Sequence, residues 1–113
     1  MTQLEAQLLS ILIEAPLAAL LVSAAGWPSR GRLQVAIGSA VATSVTHPLL
    51  WAFVETAAPR MDYVPAVLVG EAAVVLAEAA ILAWGAGLSA RHSLAVSLLV
   101  NGASAAVGLV LLA

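Results

Sequence analysis

The sequence predicts an all-α polytopic membrane protein, a four-transmembrane-helix up-down bundle forming a single domain over residues 1–113. Three observations predict it. Charged residues make up only 9% of the 113 residues, while 63% are hydrophobic; a soluble domain carries about 25% charged residues, so this chain cannot clothe a soluble surface. Four apolar stretches fill almost the whole length, and each approaches the ~20 residues that a membrane span requires. The connections between them are short and hold turn-forming Gly and Pro residues together with arginines.

The first span runs from about 4 to 25. Its start is too poor a match to a secretory signal to be removed: no basic residue precedes it, Glu5 opens it and Glu14 sits in its middle. The segment Gly26-Trp27-Pro28-Ser29-Arg30-Gly31 makes the first turn. The second span, about 32–54, has no formal charge between Arg32 and Glu55. A loop from Glu55 to Asp62 with Pro59 and Arg60 follows, then a third span of about 63–85. Gly87, Ser89, Arg91 and His92 mark the third turn, and the fourth span covers about 93–113. A soluble bundle would need a charged face that recurs along its helices, and none is present. Strict period-two alternation is absent, which argues against a β-barrel.

Arg30, Arg32 and Arg91 lie in the first and third turns, whereas Arg60 in the middle loop is countered by Glu55 and Asp62. The positive-inside rule then places the first and third turns in the cytoplasm and both termini outside, in a bacterial inner membrane. Trp27, Trp51, Tyr63 and Trp84 fall near span ends, as interfacial aromatics do. With no cysteine, disulfides, thiolate metal sites and lipidated cysteines are excluded. No basic patch exists for nucleic acid.

Glu14, His47, Glu71 and Glu78 stand inside these apolar spans. Ionisable groups are costly there and mark ligand sites, charge pairs or conduction paths. At ~1.5 Å per residue, Glu14 lies roughly 15 Å from the outer end of its helix, His47 roughly 10 Å and Glu71 roughly 12 Å. Ser104 and Asn101 reach roughly 14 and 18 Å from the chain end on the fourth span. Four helices thus deliver polar groups to the outer half of the bilayer. Thr43 and His47 are four apart, Glu71 and Glu78 seven apart, and Ser97, Asn101, Ser104 and Gly108 follow spacings of four, three and four, so each set occupies one helix face.

Imidazole and carboxylate donors suit a divalent ion. The leading expectation is a metal site formed by Glu14, His47 and Glu71, with zinc favoured and iron or copper as alternatives. Glu78, one heptad or ~10.5 Å further along the axis, is expected too deep to share that ion and to serve a proton relay. Thr46, Asn101 and Ser104 are expected as supporting donors. Two other functions fit the same residues. One is a proton or cation relay or transport component with Glu78, Glu71 and His47 as a ladder; four spans without inverted repeats would then require oligomerisation. The other is a small structural or assembly subunit of a larger membrane complex, docking through its Ala- and Gly-rich faces. The H-E-x-x-H, G-x-S-x-G and paired-aspartate patterns are missing, so no enzymatic reaction is assigned.

Each residue also has a plainer role. Ser39, Thr43, Ser97 and Gly108 are read as packing residues, Asn101 as interhelical hydrogen-bond glue, and His92 as an interfacial loop histidine. Pro16, two residues after Glu14, and Pro48, next to His47, each remove one helical hydrogen bond and favour a kink that opens room beside the ionisable group.

The combination Glu14-x-Pro16, Thr43-x-x-Thr46-His47-Pro48-Leu49-x-Trp51, Glu71-x-x-Val74-x-x-x-Glu78 and Asn101-x-x-Ser104 resembles a group of small uncharacterised bacterial four-helix membrane proteins. The likeness covers nearly the whole chain. It implies the same four-helix fold and the same set of polar residues, and no activity. The group tends to carry Asn where this chain has Thr43, which puts in doubt any role that needs an amide at that position.

Overall fold

The computed structural model describes residues 2–57 and 59–112. It contains four α-helices in the order α1 (Gln3–Ala25), α2 (Arg32–Ala57), α3 (Tyr63–Ala86) and α4 (Ala90–Leu112), each long and apolar enough to cross a membrane. They form a four-cornered bundle measuring 43 × 24 × 19 Å. Helices α1 and α3 each pack against both α2 and α4, while the diagonal pairs do not pack on each other. The end holding the two chain termini and the α2–α3 loop is here called the open end; the end holding the α1–α2 and α3–α4 turns is the turn end.

Local chemistry sets the helix limits. Thr2 caps α1, its Oγ1 accepting from Glu5 N at 3.1 Å, and Gly26 ends it in the left-handed conformation with φ 69°. Helix α2 continues three residues beyond the expected Val54. Nothing in Glu55-Thr56-Ala57 opposes the helix, and Trp51 Nε1 donates to Glu55 Oε1 one turn on, at 2.8 Å; Pro59 follows soon after. Pro65 sits in the first turn of α3, where its missing N–H costs nothing. Helix α4 begins three residues before the expected Ser93, because Ser89 supplies the cap: its Oγ accepts from His92 N at 3.2 Å. Arg91 and His92 therefore belong to the first turn of a helix, and Ala113 lies outside the described residues. Helices α1 and α2 both continue through their internal prolines, Pro16 and Pro48.

The interior is divided along its length. Toward the turn end, Ala18 and Val22 of α1, Val35 of α2, Leu82 and Ala86 of α3, Leu88, and Val96 and Val100 of α4 form one apolar cluster, with Trp27 packed against it. That end is also tied by polar contacts. Arg30 donates its backbone N–H to Ala86 O at 2.8 Å and its Nη1 to Trp84 O and Gly85 O at 3.0 and 3.1 Å. Gln34 Nε2 adds a bond to Gly85 O at 3.2 Å. Trp27 and His92 stack with ring centroids 4.3 Å apart. Toward the open end the interior is polar, with Ser10, Glu14, Thr43, Thr46, Glu78 and Asn101 buried.

Leucine and valine side chains cover the outside along all four helices, Leu12, Leu33, Leu68 and Val110 among them, with Trp84 the most exposed at 84%. The inside-out distribution has a simple origin. The buried faces carry Ala, Gly, Ser and Thr, which let backbones approach, while the bulky apolar side chains point outward. Gly70 marks one close approach of α2 and α3: a Cβ there would lie 2.5 Å from Leu50 Cδ1 and 3.2 Å from Phe53 Cδ1.

Candidate functional site

Each helix places one polar face toward a common centre in the open half of the bundle. Glu14 is 3% exposed and Glu78 2%. Thr43, on α2, lies between them: its Oγ1 is 3.3 Å from Glu14 Oε1 and 3.2 Å from Glu78 Oε1. Thr46, one turn further along α2, places its Oγ1 3.1 Å from the same Glu78 oxygen and 2.9 Å from its own Ala42 O. The other Glu78 oxygen, Oε2, accepts from Asn101 Nδ2 of α4. Asn101 is aimed by its own helix, since Nδ2 also donates to Ser97 O at 2.8 Å. Ser97 Oγ in turn donates to Val75 O of α3 at 2.7 Å. Beside this network, Ser104 Oγ and Ser10 Oγ join α4 to α1 at 3.1 Å.

Counting protons gives the network its chemistry. A hydroxyl has one hydrogen to donate and two lone pairs to accept with. Thr43 touches two carboxyl oxygens: with both ionised it can only share its one hydrogen between them, whereas with one protonated it donates to one and accepts from the other. Thr46 donates either to Ala42 O, which can only accept, or to Glu78; when it donates to Ala42 O it can accept from a protonated Glu78. The arrangement is therefore complete with a proton held on the Glu14–Glu78 pair. Moving that proton from one carboxyl to Thr43, while the Thr43 proton passes to the other, reverses the chain of bonds without moving any heavy atom far. Among the described residues no arginine lines the surrounding cavity, and the basic side chain there is His47.

That cavity has a volume of about 190 Å³ and is lined by residues of all four helices, including Ser10, Glu14, Thr43, Glu78, Asn101 and Ser104. A single water needs only ~10–15 Å³ by the same kind of measure. His47, Trp51 and Glu71 line it as well.

The expected metal site does not form. Among the described residues, no group of three or more His, Cys, Asp and Glu side chains is placed to hold a metal ion. Zinc, iron and copper binding by Glu14, His47 and Glu71 is thereby corrected. All three line the inner cavity but are not gathered around one point. Glu14 is engaged with Thr43. His47 turns toward the N-terminus of α1, where Gln3 Nε2 bonds its Nδ1 at 3.2 Å, and its ring lies 6.1 Å from that of Trp51. Glu71 is half-buried on the cavity wall. The expectation that Glu78 lies too deep to join the others also changes, since Glu78 sits at the centre of the network. Thr46 and Asn101 serve Glu78 directly, and Ser104 pairs with Ser10.

Thr43 is the residue that sequence reasoning assigned to packing and that the structure places between the two carboxyls. One signal was available: Thr43 and Thr46, three apart, share a helix face, and two hydroxyls on one face of an apolar helix have a combined capacity to serve a carboxyl. Gln3 and Ser10 carried no comparable signal. No family model, curated protein or solved structure matches the chain.

Proposed function

We propose that this protein is a multi-pass membrane protein that handles protons, a relay component in which Glu14, Thr43 and Glu78 hold and pass a proton within the bilayer. The observation that carries the reading is the single hydroxyl bridging two buried carboxyls in a cavity that, among the described residues, no arginine lines. The shared hydroxyl makes the proton positions of the two carboxyls depend on each other. The apolar exterior supports placement in a bilayer, because soluble monomers rarely expose contiguous apolar patches beyond roughly 300–600 Å². The arginines of the two turns support an orientation with the turn end in the cytoplasm of a bacterium and the open end, with both termini, outside.

The test is infrared titration of the protein reconstituted in lipid. The carboxyl C=O band is followed as pH is varied, in the parent and in Glu14→Gln, Glu78→Gln and the double variant. The reading expects a reversible component of the carboxyl signal that each single substitution alters and the double substitution removes, over the background of Glu5, Glu55, Asp62 and Glu71, with helix content unchanged. A component from the pair that stays constant over the whole pH range of the folded protein would leave the pair a structural hydrogen bond and favour an assembly subunit.

A further inference from the structure

Glu71 and His47 stand where two cavities meet. The inner cavity is the one that reaches Glu14 and Glu78. The outer one, about 350 Å³, lies between the last turns of α2 and the first turns of α3, where Val54, Glu55, Tyr63 and Val67 line it. His47, Leu50, Trp51 and Glu71 line both. A continuous set of side chains thus leads from the α2–α3 loop to the carboxyl pair, with Glu55 near its mouth and Glu71 at its neck. Among the described residues no arginine lines either cavity. Below the pair the situation reverses: every helix contributes a side chain to the apolar cluster, and Ala18, Val35 and Val96 are 0% exposed while Leu82 is 1%.

We propose that the Glu14–Glu78 pair communicates with one membrane face only, the face of the α2–α3 loop and the chain termini, along the inner cavity past Ala6 and Gly108 and through a side portal formed by Glu71 and His47, and that the apolar cluster seals it from the other. The identity of the traffic as protons rests on the relay reading; the route rests on the cavities. Carboxylates at mouth and neck favour small cations over anions. In this conformation the polar cavities reach the pair from the open half of the bundle. Passage to the turn-end face requires the cluster around Leu82 to rearrange, through a conformational change or in a larger assembly.

The absence of cysteine makes single-cysteine accessibility the direct experiment. Val67→Cys reports the outer cavity, Val74→Cys the inner one, Val96→Cys the seal, and Arg32→Cys the exposed turn-end face. Each full-length variant is treated with a membrane-impermeant cationic thiol reagent in right-side-out and in inverted vesicles. The expected result is modification at positions 67 and 74 from one face only, at position 32 from the opposite face, and at position 96 from neither. Adding Glu71→Gln should slow the cationic reagent at position 74 by about tenfold, the low end of electrostatic focusing in a charged cleft, and leave a neutral reagent unchanged. Modification at position 96, or at position 74 from both faces or from none, overturns the proposal. If Val74→Cys does not fold, Leu50→Cys probes the same junction. The infrared titration is scored separately: constant carboxyls with one-sided labelling would remove the proton and keep the route, and titrating carboxyls with two-sided labelling would do the reverse.

Discussion

Glu14 on α1 and Glu78 on α3 meet across the diagonal of the bundle at one oxygen atom. Thr43 Oγ1 is 3.3 Å from the first and 3.2 Å from the second, although α1 and α3 do not pack on each other. Replacing Thr43 by Val keeps the shape and removes the hydroxyl. The expected cost is about 1–2 kcal/mol of stability, in the range of buried hydrogen bonds in soluble and membrane proteins. The more specific outcome concerns coupling. In the parent, Glu14→Gln should change the infrared titration of Glu78; in Thr43→Val the effect should shrink to the direct charge interaction between the two carboxyls, and Thr43→Ser should restore it. Undiminished coupling in Thr43→Val would mean that the carboxyls interact by another path.

Asn101 gives a second test with a pH sign. It is the donor to Glu78 Oε2 and is 6% exposed. Asn101→Leu leaves that oxygen without its donor and should cost about 1–3 kcal/mol, the penalty for a buried polar atom left unsatisfied. Asn101→Asp should behave differently. A charged Asp repels the pair, whereas a protonated Asp donates to Glu78 as the amide did. Relative to the parent, this variant should lose most stability at high pH and recover as pH is lowered. Unfolding curves at several pH values read both variants, and a deficit independent of pH in Asn101→Asp would assign Asn101 to packing alone.

The four helices were legible because composition and length leave a chain of this kind few alternatives. The polar faces were legible in part. Depth along a helix follows from counting residues, but direction around it needs a pattern of inward and outward residues, and here both are apolar. Ala and Leu alternate in role without alternating in polarity. Thr43 and His47, four apart, were assigned one face and both line the inner cavity, Thr43 buried at its centre and His47 half-buried beside Gln3. Glu71 and Glu78, seven apart, were assigned one face and both do line the inner cavity, but only Glu78 meets the donors of α2 and α4. The metal expectation failed because side chains that line one cavity are not thereby gathered around one ion. The early start of α4 was written in Ser89, a good capping residue that was read as part of the turn.

Gly70 should resist substitution for a reason outside the polar site. An added Cβ would meet Leu50 Cδ1 at 2.5 Å and Phe53 Cδ1 at 3.2 Å, so α2 and α3 would have to part or both side chains move. Overpacking of this kind costs about 1–3 kcal/mol. Leu50 lines both cavities, so the displaced side chain should also change labelling at Val74→Cys. A double variant, Gly70→Ala with Leu50→Ala, should be less destabilised than the sum of the two singles, and simple additivity would place the strain elsewhere.

The turn end offers a test of how the seal is held. Gly87 has φ 72°, a conformation that costs an L-residue about 1–2 kcal/mol, and a Cβ there would lie 2.9 Å from Arg30 Cγ. Arg30 meanwhile supplies donors to Trp84 O, Gly85 O and Ala86 O, three of the last carbonyls of α3. Arg30→Ala removes the two side-chain bonds and keeps the backbone one, and should cost about 1 kcal/mol, the scale of a cation at a helix C-terminus. Gly87→Ala should cost more, because it adds backbone strain to the collision with Arg30. In the Arg30→Ala background only the strain remains, so the second substitution should then cost less than it does alone. The measurement is a double-mutant cycle by unfolding in mild detergent. Full additivity would show that Arg30 can move aside without losing its hold on α3, and the turn end would then be fastened by the apolar cluster alone.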